Sequence, residues 1–395
     1  MRHRFTKVLV AVALFTLLVG TASVAAKSRH AAASYNVGVV YSRTGLLAAY
    51  GAEYIEGLRY GLQYATNGTN KVNGKAVNLT LMDDKTDPAT AVNDAKQLIG
   101  DGTKILAGSV SSGVALQVAP LAAQNHVLFI SGPAASDAIT GLNRYTFRSG
   151  RQTLQDVETV TSFLKGAGKK VVVFDQDSVF GHGNYAAVKA IVGSKGHTVT
   201  EVSVPLTATD FTPFARQVKS QNPDLVFVAW AGSTAGAMWN ALDQQGVFSG
   251  PDVVTGLAER ATWAALGDVA TKIHYLSHYV YNAPKNKVND WLVKQMRKKG
   301  QVPDLFTPDG FNAALMIVHA LKAGNYDVDK MVSSLEGYKF LGPKGWSAVR
   351  PQDHALLQPM FRVELVKGSN GKLTPKVLGT ATSFQTAPPV TPIKG

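Results

Sequence analysis

Tyr35-Asn-Val-Gly-Val-Val-Tyr41, followed by the amphipathic stretch Ala49 to Ala65, sets the rhythm of the whole chain. A short β-branched run gives way to a longer segment of helical period, and the alternation repeats for some 300 residues, about as α/β folds require. Further strands are expected at Val77–Met82, Ile105–Val110, Val127–Ser131, Lys170–Asp175, Thr198–Val204, Asp224–Trp230, Asp252–Thr255 and Tyr275–Tyr281. Most of these are unbroken apolar runs, the signature of strands buried on both faces of a parallel sheet. Helices fall between them. Pro88–Ile99 is one, with Asp87 as N-cap, Pro88 at the first helical position and Gly100-Asp-Gly102 as the stop.

The chain has 395 residues, 45% hydrophobic and 17% charged, with no cysteine. That composition excludes disorder and disulfide scaffolding, and at roughly 100 to 200 residues per domain the length predicts two domains. No Pro/Ser-rich linker separates residues 40 and 380, so the domains must be joined by tight crossings. Tyr145–Ser149, Tyr275–Ala283 and Leu341–Val349 are the expected ones. They divide the chain into a first lobe (35–148 plus 283–341), a second lobe (149–282 plus 342–382) and an irregular tail (383–395) holding Pro388, Pro389 and Pro392.

Before the first strand, Arg2, Arg4 and Lys7 precede the apolar run Val8 to Val19 and the small-residue exit Gly20-Thr-Ala-Ser-Val-Ala-Ala26. This pattern reads as a secretory signal peptide over residues 1–26. Its core is shorter than the roughly 20 residues that span a bilayer. Cleavage would leave ten of the thirteen net positive charges. Without cysteine no thioether lipid can be attached, so the expected product is a soluble periplasmic protein and not a lipoprotein. Its cations are scattered singly except for Lys169-Lys170 and Arg297-Lys-Lys299, which fits a solvated surface and no nucleic-acid partner.

Enzyme signatures are absent: there is no G-x-x-x-x-G-K-[ST], H-E-x-x-H, G-x-G-x-x-G after a strand, or G-x-S-x-G. Asp83-Asp84 ends a strand with its side chains on opposite faces, which does not suit shared acid/base work. His274 and His278 are two pleats apart in an expected strand, too wide for an obvious metal pair. No cofactor and no metal are expected.

The chemistry lies in two strand-to-helix turns. Gly108-Ser-Val-Ser-Ser-Gly-Val-Ala115 offers free N–H groups and the hydroxyls of Ser111 and Ser112 at a helix start, a natural seat for a carboxylate. Ser109, on the strand side, should be indifferent to ligand. Ser131-Gly-Pro-Ala-Ala-Ser-Asp137 occupies the same position after the next strand, at the carboxyl edge where such sheets bind ligands.

An ordered set of segments then resembles a known family: Val37-Gly-Val-Val-Tyr-Ser-Arg-Thr-Gly45 with Tyr50-Gly51, Asp83-Asp-Lys-Thr-Asp-Pro88 with Ala91 and Leu98-Ile99, the Ser111-Ser112 turn, Phe174-Asp-Gln-Asp-Ser-Val-Phe-Gly-His-Gly183, Thr209-Asp-Phe-Thr212, and Pro223-Asp224. Over nearly all of the chain after residue 26 it is similar to the type I periplasmic solute-binding proteins of ABC transporters, in the branched-chain amino acid and amide group that includes the leucine/isoleucine/valine-binding proteins. The resemblance implies two Rossmann-like lobes joined by a three-strand hinge, a monomer that clasps a small amino acid or amide and delivers it to a membrane permease, and no catalysis. It further implies that Ser112 takes the ligand carboxylate beside Ser111 and that Tyr50 is a cleft aromatic. The turn Gly132, Pro133, Ala134 to Ser136 would contact carboxylate and amine. Phe180 and Trp230 would be second-lobe aromatics, and Glu259 would meet the amine. Where amino acid binders often carry threonine and tyrosine, this chain has the turn Gly-Pro-Ala-Ala-Ser and Phe180. The alternatives are an amide- or amino-acid-sensing protein with a separate signalling partner, and a hydrolase using Ser111 or Ser112. The hydrolase needs a histidine base that no nearby motif supplies.

Overall fold

A computed structural model describes residues 34–160, 163–256 and 260–394; the segment 1–26 read as a signal peptide therefore lies outside the described residues. The first lobe opens with β1 (Tyr35–Tyr41), α1 (Ala48–Ala65), β2 (Lys71–Val72), β3 (Lys75–Asp83), α2 (Pro88–Gly100), β4 (Ile105–Gly108), α3 (Ser112–Gln124), β5 (Leu128–Ser131) and β6 (Thr146–Arg148). Its sheet has the order β2-β3-β1-β4-β5-β6, parallel throughout except for the β2–β3 hairpin. The apolar runs of β1, β4 and β5 are buried on both faces, as their lack of alternation requires.

The second lobe is built from α4 (Thr153–Val160), β7 (Lys170–Gln176), α5 (Val179–Ile191), β8 (Thr198–Val204), α6 (Thr212–Ser220), β9 (Leu225–Ala229), α7 (Ala235–Gln244), β10 (Asp252–Gly256), α8 (Arg260–Trp263) and β11 (Ile273–Ser277). The chain then returns to the first lobe for α9 (Lys287–Arg297), α10 (Thr307–Gly324), α11 (Val328–Leu335) and the small sheet β12 (Lys339–Gly342), β13 (Gly345–Val349) and β14 (Leu356–Leu357). Finally β15 (Met360–Lys367) and β16 (Leu373–Ala381) add an antiparallel hairpin to the second sheet, giving β16-β15-β11-β10-β9-β7-β8. The architecture is the expected α/β pair of lobes with parallel-rich sheets.

Packing fixes the lobe boundaries. Val37, Ile105 and Ile130 share one core with Tyr54 and Leu58 of α1 and with Phe311 and Met316 of α10. Each such buried side chain contributes about 1.5–3 kcal/mol. α1 and α10 meet backbone to side at Gly57, where a Cβ would lie 1.9 Å from the Thr307 carbonyl oxygen. Phe340, Val349 and Leu356 belong to this same core. Residues 342–357 are thus part of the first lobe, a correction to the sequence division, which gave them to the second. β12 packs on α10, and Val349 of β13 and Leu356 of β14 are buried in the same core before the chain leaves. The crossings run through 149–152, 278–286 and 358–359, and Leu341–Val349 is a hairpin strand instead of a crossing.

Candidate functional site

The carboxyl ends of both sheets face a cavity of about 310 Å³ between the lobes. On the first lobe three loops form its wall, and acidic side chains tie them together. Asp83 accepts hydrogen bonds from the amides of Arg43, Thr44 and Lys85 at 2.9–3.1 Å. Buried Asp84 accepts from Ser42 Oγ (2.7 Å), the Thr86 amide (2.7 Å) and Ser109 Oγ (3.2 Å). The carboxylate pair is thus a loop clamp, a role the sequence did not indicate. Ser109 also accepts from the Ser111 amide at 3.1 Å, so it holds the turn in shape and is not the bystander that strand alternation suggests.

Ser111 caps α3, its Oγ accepting from the Val114 amide at 3.4 Å. Ser112 Oγ accepts from the Ser136 amide at 3.2 Å, which stitches the two hydroxyl-rich turns together and leaves the Ser112 hydroxyl proton available. Among the described residues the amides of Ser112, Gly113 and Ala135 make no hydrogen bond to the protein, and all three residues line the cavity. Three free N–H donors and one O–H at a helix start form an anion seat without any cation.

The remaining predicted residues divide. Tyr50, Ser111, Pro133, Phe180 and Trp230 line the cavity, whereas Gly132, Ala134 and Ser136 do not. Their amides are bound instead to Gly108 O, Ser109 O and Ser112 Oγ. The carbonyls of this turn are held by two arginines. Buried Arg148 donates to Ser136 O (2.9 Å), Arg151 O (2.7 Å) and Ala134 O, and Arg151 donates to Pro133 O at 3.0 Å. The expected double contact of this turn with carboxylate and amine therefore narrows to Pro133 and Ala135. Glu259, read as the amine partner, lies outside the described residues.

Trp230 is fixed by Phe174 (ring centroids 5.5 Å, stacked), by Phe211 (5.3 Å, edge-on) and by its indole N–H to Thr234 Oγ1 at 3.0 Å. Phe180 starts α5, whose N-cap Ser178 accepts from the Gly181 amide at 3.1 Å. Tyr50 packs against Phe306 at 4.6 Å, and its hydroxyl accepts from the Gly232 amide of the second lobe at 3.3 Å. Beside it the Ser233 amide reaches Leu46 O, also at 3.3 Å. At Gly232, with φ +87°, a Cβ would stand 2.5 Å from Leu46 O, so only glycine allows this approach. The lobes are in contact across the cleft, which is the closed form of a two-lobed clasp.

Sequence reading missed the hinge side of the cavity, formed by Arg151, Asp156, His278 and Phe306. Arg151 Nε pairs with Asp156 at 3.0 Å. Nearby Asp309 is fully buried, its carboxyl pushed up to about 7 by burial against the pull of Lys344, Arg151 and Arg148, and burial brings Lys344 down to about 7. Burial and the charges of Arg151 and Lys344 hold His278 well below the usual histidine range, so it is neutral. Arg151 and Asp156 lie just past the expected Tyr145–Ser149 crossing in a stretch with no motif, and Phe306 arrives from a distant segment. Neither carries a local signal.

The periplasmic binding protein family matches residues 34–372. A Leu/Ile/Val-binding protein homolog of Brucella melitensis is 28% identical over 317 residues, covering 78% of this chain and 83% of that protein. The crystal structure of an ABC-type branched-chain amino acid transporter protein from Rhodopseudomonas palustris is 30% identical, with TM-score 0.75, over 91% of this chain and 100% of its own. A solute-binding protein of an ABC transporter from another R. palustris strain, solved with 3,4-dihydroxybenzoic acid, is 25% identical with TM-score 0.79 and coverage of 89% and 98%. With two lobes closed on one cavity and a family match over most of its length, the chain belongs to the periplasmic binding protein family, the two-lobed solute-binding proteins of ABC transporters.

Proposed function

We propose that this chain captures a small amino acid or amide, held by its carboxylate or carbonyl oxygen at the start of α3 and by its apolar body between Phe180 and Trp230, and hands it to an ABC permease. In this reading it is exported on residues 1–26 and works in the periplasm as a monomer, performing no covalent chemistry. The observation that carries it is the seat of three unpartnered amides plus the Ser112 hydroxyl, facing an apolar wall across a cavity small enough for one compact solute. The hydroxyls of Ser111 and Ser112 are engaged with backbone amides and not with a histidine, which favours binding over hydrolysis. Relatives named for leucine, isoleucine and valine support the solute class.

One observation favours a second reading. Asp156, a carboxylate on the cavity wall, is already paired with Arg151, so a solute with a carboxylate and no ammonium, such as an aromatic acid, also suits the described surface. A thermal-shift screen of branched-chain amino acids, their amides and hydroxybenzoates separates the two. A ligand at 100 times its dissociation constant should add about 2.7 kcal/mol to stability. Stabilisation by the amino acids or amides supports the first reading and by the benzoates alone the second, and no stabilisation by any of the three sets contradicts both.

A further inference from the structure

The segment Phe174–Gly183 does more than place Phe180. Asp175 near the end of β7 is fully buried, and neither carboxylate oxygen has a hydrogen-bond partner among the described residues. A buried carboxylate left in that state is costly, so it calls for a counterion or a proton. The parallel register pairs Asp175 with Ser203 of β8, which puts Glu201, two residues earlier, on the same face. His182, in the first turn of α5, reaches over that face. Ligand atoms of Asp175, His182 and Glu201 all lie within 4.8 Å of one another. None of the three lines the solute cavity.

We propose that Asp175, His182 and Glu201 form a binding site for one divalent transition-metal ion of the zinc type, with Asp177 as its outer carboxylate. One imidazole and two carboxylates are a donor set suited to zinc and its neighbours, and their two negative charges balance the ion. Calcium and magnesium ask for six or more oxygen ligands or an ordered water octahedron, which an imidazole does not serve. His182 is already oriented for the task. Its Nε2 lies 2.9 Å from Asp177 Oδ1, the carboxylate contact that turns the other ring nitrogen toward a metal, and its Nδ1 faces Glu201 Oε1 at 3.0 Å. Metal binding replaces the Nδ1–Glu201 contact and brings Asp175 its missing partner.

Access is open, because the side chains of His182 and Glu201 are 51% and 25% exposed above the buried Asp175. Water supplies the remaining coordination from that side.

The test uses the untagged exported chain, stripped with chelator and dialysed. Zinc chloride is titrated by calorimetry at neutral pH, with bound zinc counted by elemental analysis. One zinc per chain at micromolar or tighter affinity is expected, unaffected by millimolar magnesium or calcium. Asp177→Asn should weaken it by about 10- to 100-fold, and Asp175→Asn or His182→Gln should abolish the tight site. Absence of stoichiometric zinc, or stoichiometric zinc unmoved by His182→Gln, overturns the proposal. His182 and Glu201 are solvent-facing, so His182→Gln and Glu201→Gln, with circular dichroism as the folding check, decide the matter even where Asp175→Asn fails to fold.

Discussion

Replacing Ser112 by alanine removes two interactions made by one oxygen. The hydroxyl no longer receives the Ser136 amide, which costs about 1 kcal/mol of stability, and it no longer donates to a bound carboxylate. A hydrogen bond to a charged group is worth roughly 1.5–3 kcal/mol, so calorimetry should show affinity lowered about 10- to 150-fold, while Ser111→Ala, a cap loss, lowers the melting temperature with little change in affinity. Equal affinity for Ser112→Ala and the parent would reduce the serine to a cap. Ser109→Ala is not an inert control, because its bonds to Asp84 and the Ser111 amide shape the turn. His278 supplies a pH-dependent prediction. Its folded value is depressed by burial and by Arg151 and Lys344, so its neutral form stabilises the fold above the unfolded value near 6.5 and this contribution is lost as pH falls below it. Over that window one proton is worth about 1.4 kcal/mol per pH unit. Burial depresses His319 and His354 too, so denaturation between pH 6.5 and 5 should show a combined slope that His278→Gln lowers by up to that amount; an unchanged slope would place the titration elsewhere. At this scale the strand-turn-helix signal made Ser111, Ser112 and the Pro133 turn legible. It could not reveal that Arg148 and Arg151 occupy the carbonyls of that turn, because those bonds depend on how the crossing folds back.

Among the elements, apolar runs located the central strands to within a residue or two, since a strand buried on both faces has no other reason to be continuously apolar. The same logic misplaced one boundary. Tyr275–Tyr281 was expected as strand, but β11 ends at Ser277 and the apolar run continues through buried Tyr279 and Val280 because the crossing itself is interior. There Tyr279 Oη donates to Asn289 Oδ1 at 2.7 Å, anchoring the exit. The outer strand β16 alternates between half-buried and exposed positions, and its sequence is too polar to stand out as a strand. The α5 start and the loop before α7 bring the second lobe to the cleft, and Gly232 meets the first lobe at Leu46 and Tyr50. Gly232→Ala sets a Cβ against Leu46 O in a left-handed conformation costing about 1–2 kcal/mol. Ligand affinity should fall by about 10-fold or more with each lobe still folded, as read by calorimetry and circular dichroism. Undiminished affinity would mean that the Gly232–Tyr50 contact plays no part in closure.

At the scale of the molecule, the two αβ lobes were legible because the chain offers no flexible linker and repeats one rhythm throughout, but of the three expected crossings Leu341–Val349 is a hairpin packed on the first lobe. The hinge between them is less ordinary. Asp156, Arg151, Arg148, Asp309 and Lys344 bury a charged cluster where the crossings converge, and buried pairs of this kind hold one geometry more than they add stability. In the proposed reading a solute seated on α3 is enclosed only when Tyr50 and Leu46 meet Gly232 and Ser233, so binding and closure are one event. Small-angle X-ray scattering, with and without the solute found by the screen, measures that event directly. Capture by closure requires a radius of gyration that falls on saturation toward the roughly 21 Å of a compact chain of this size, and an unchanged radius at saturating solute would contradict it.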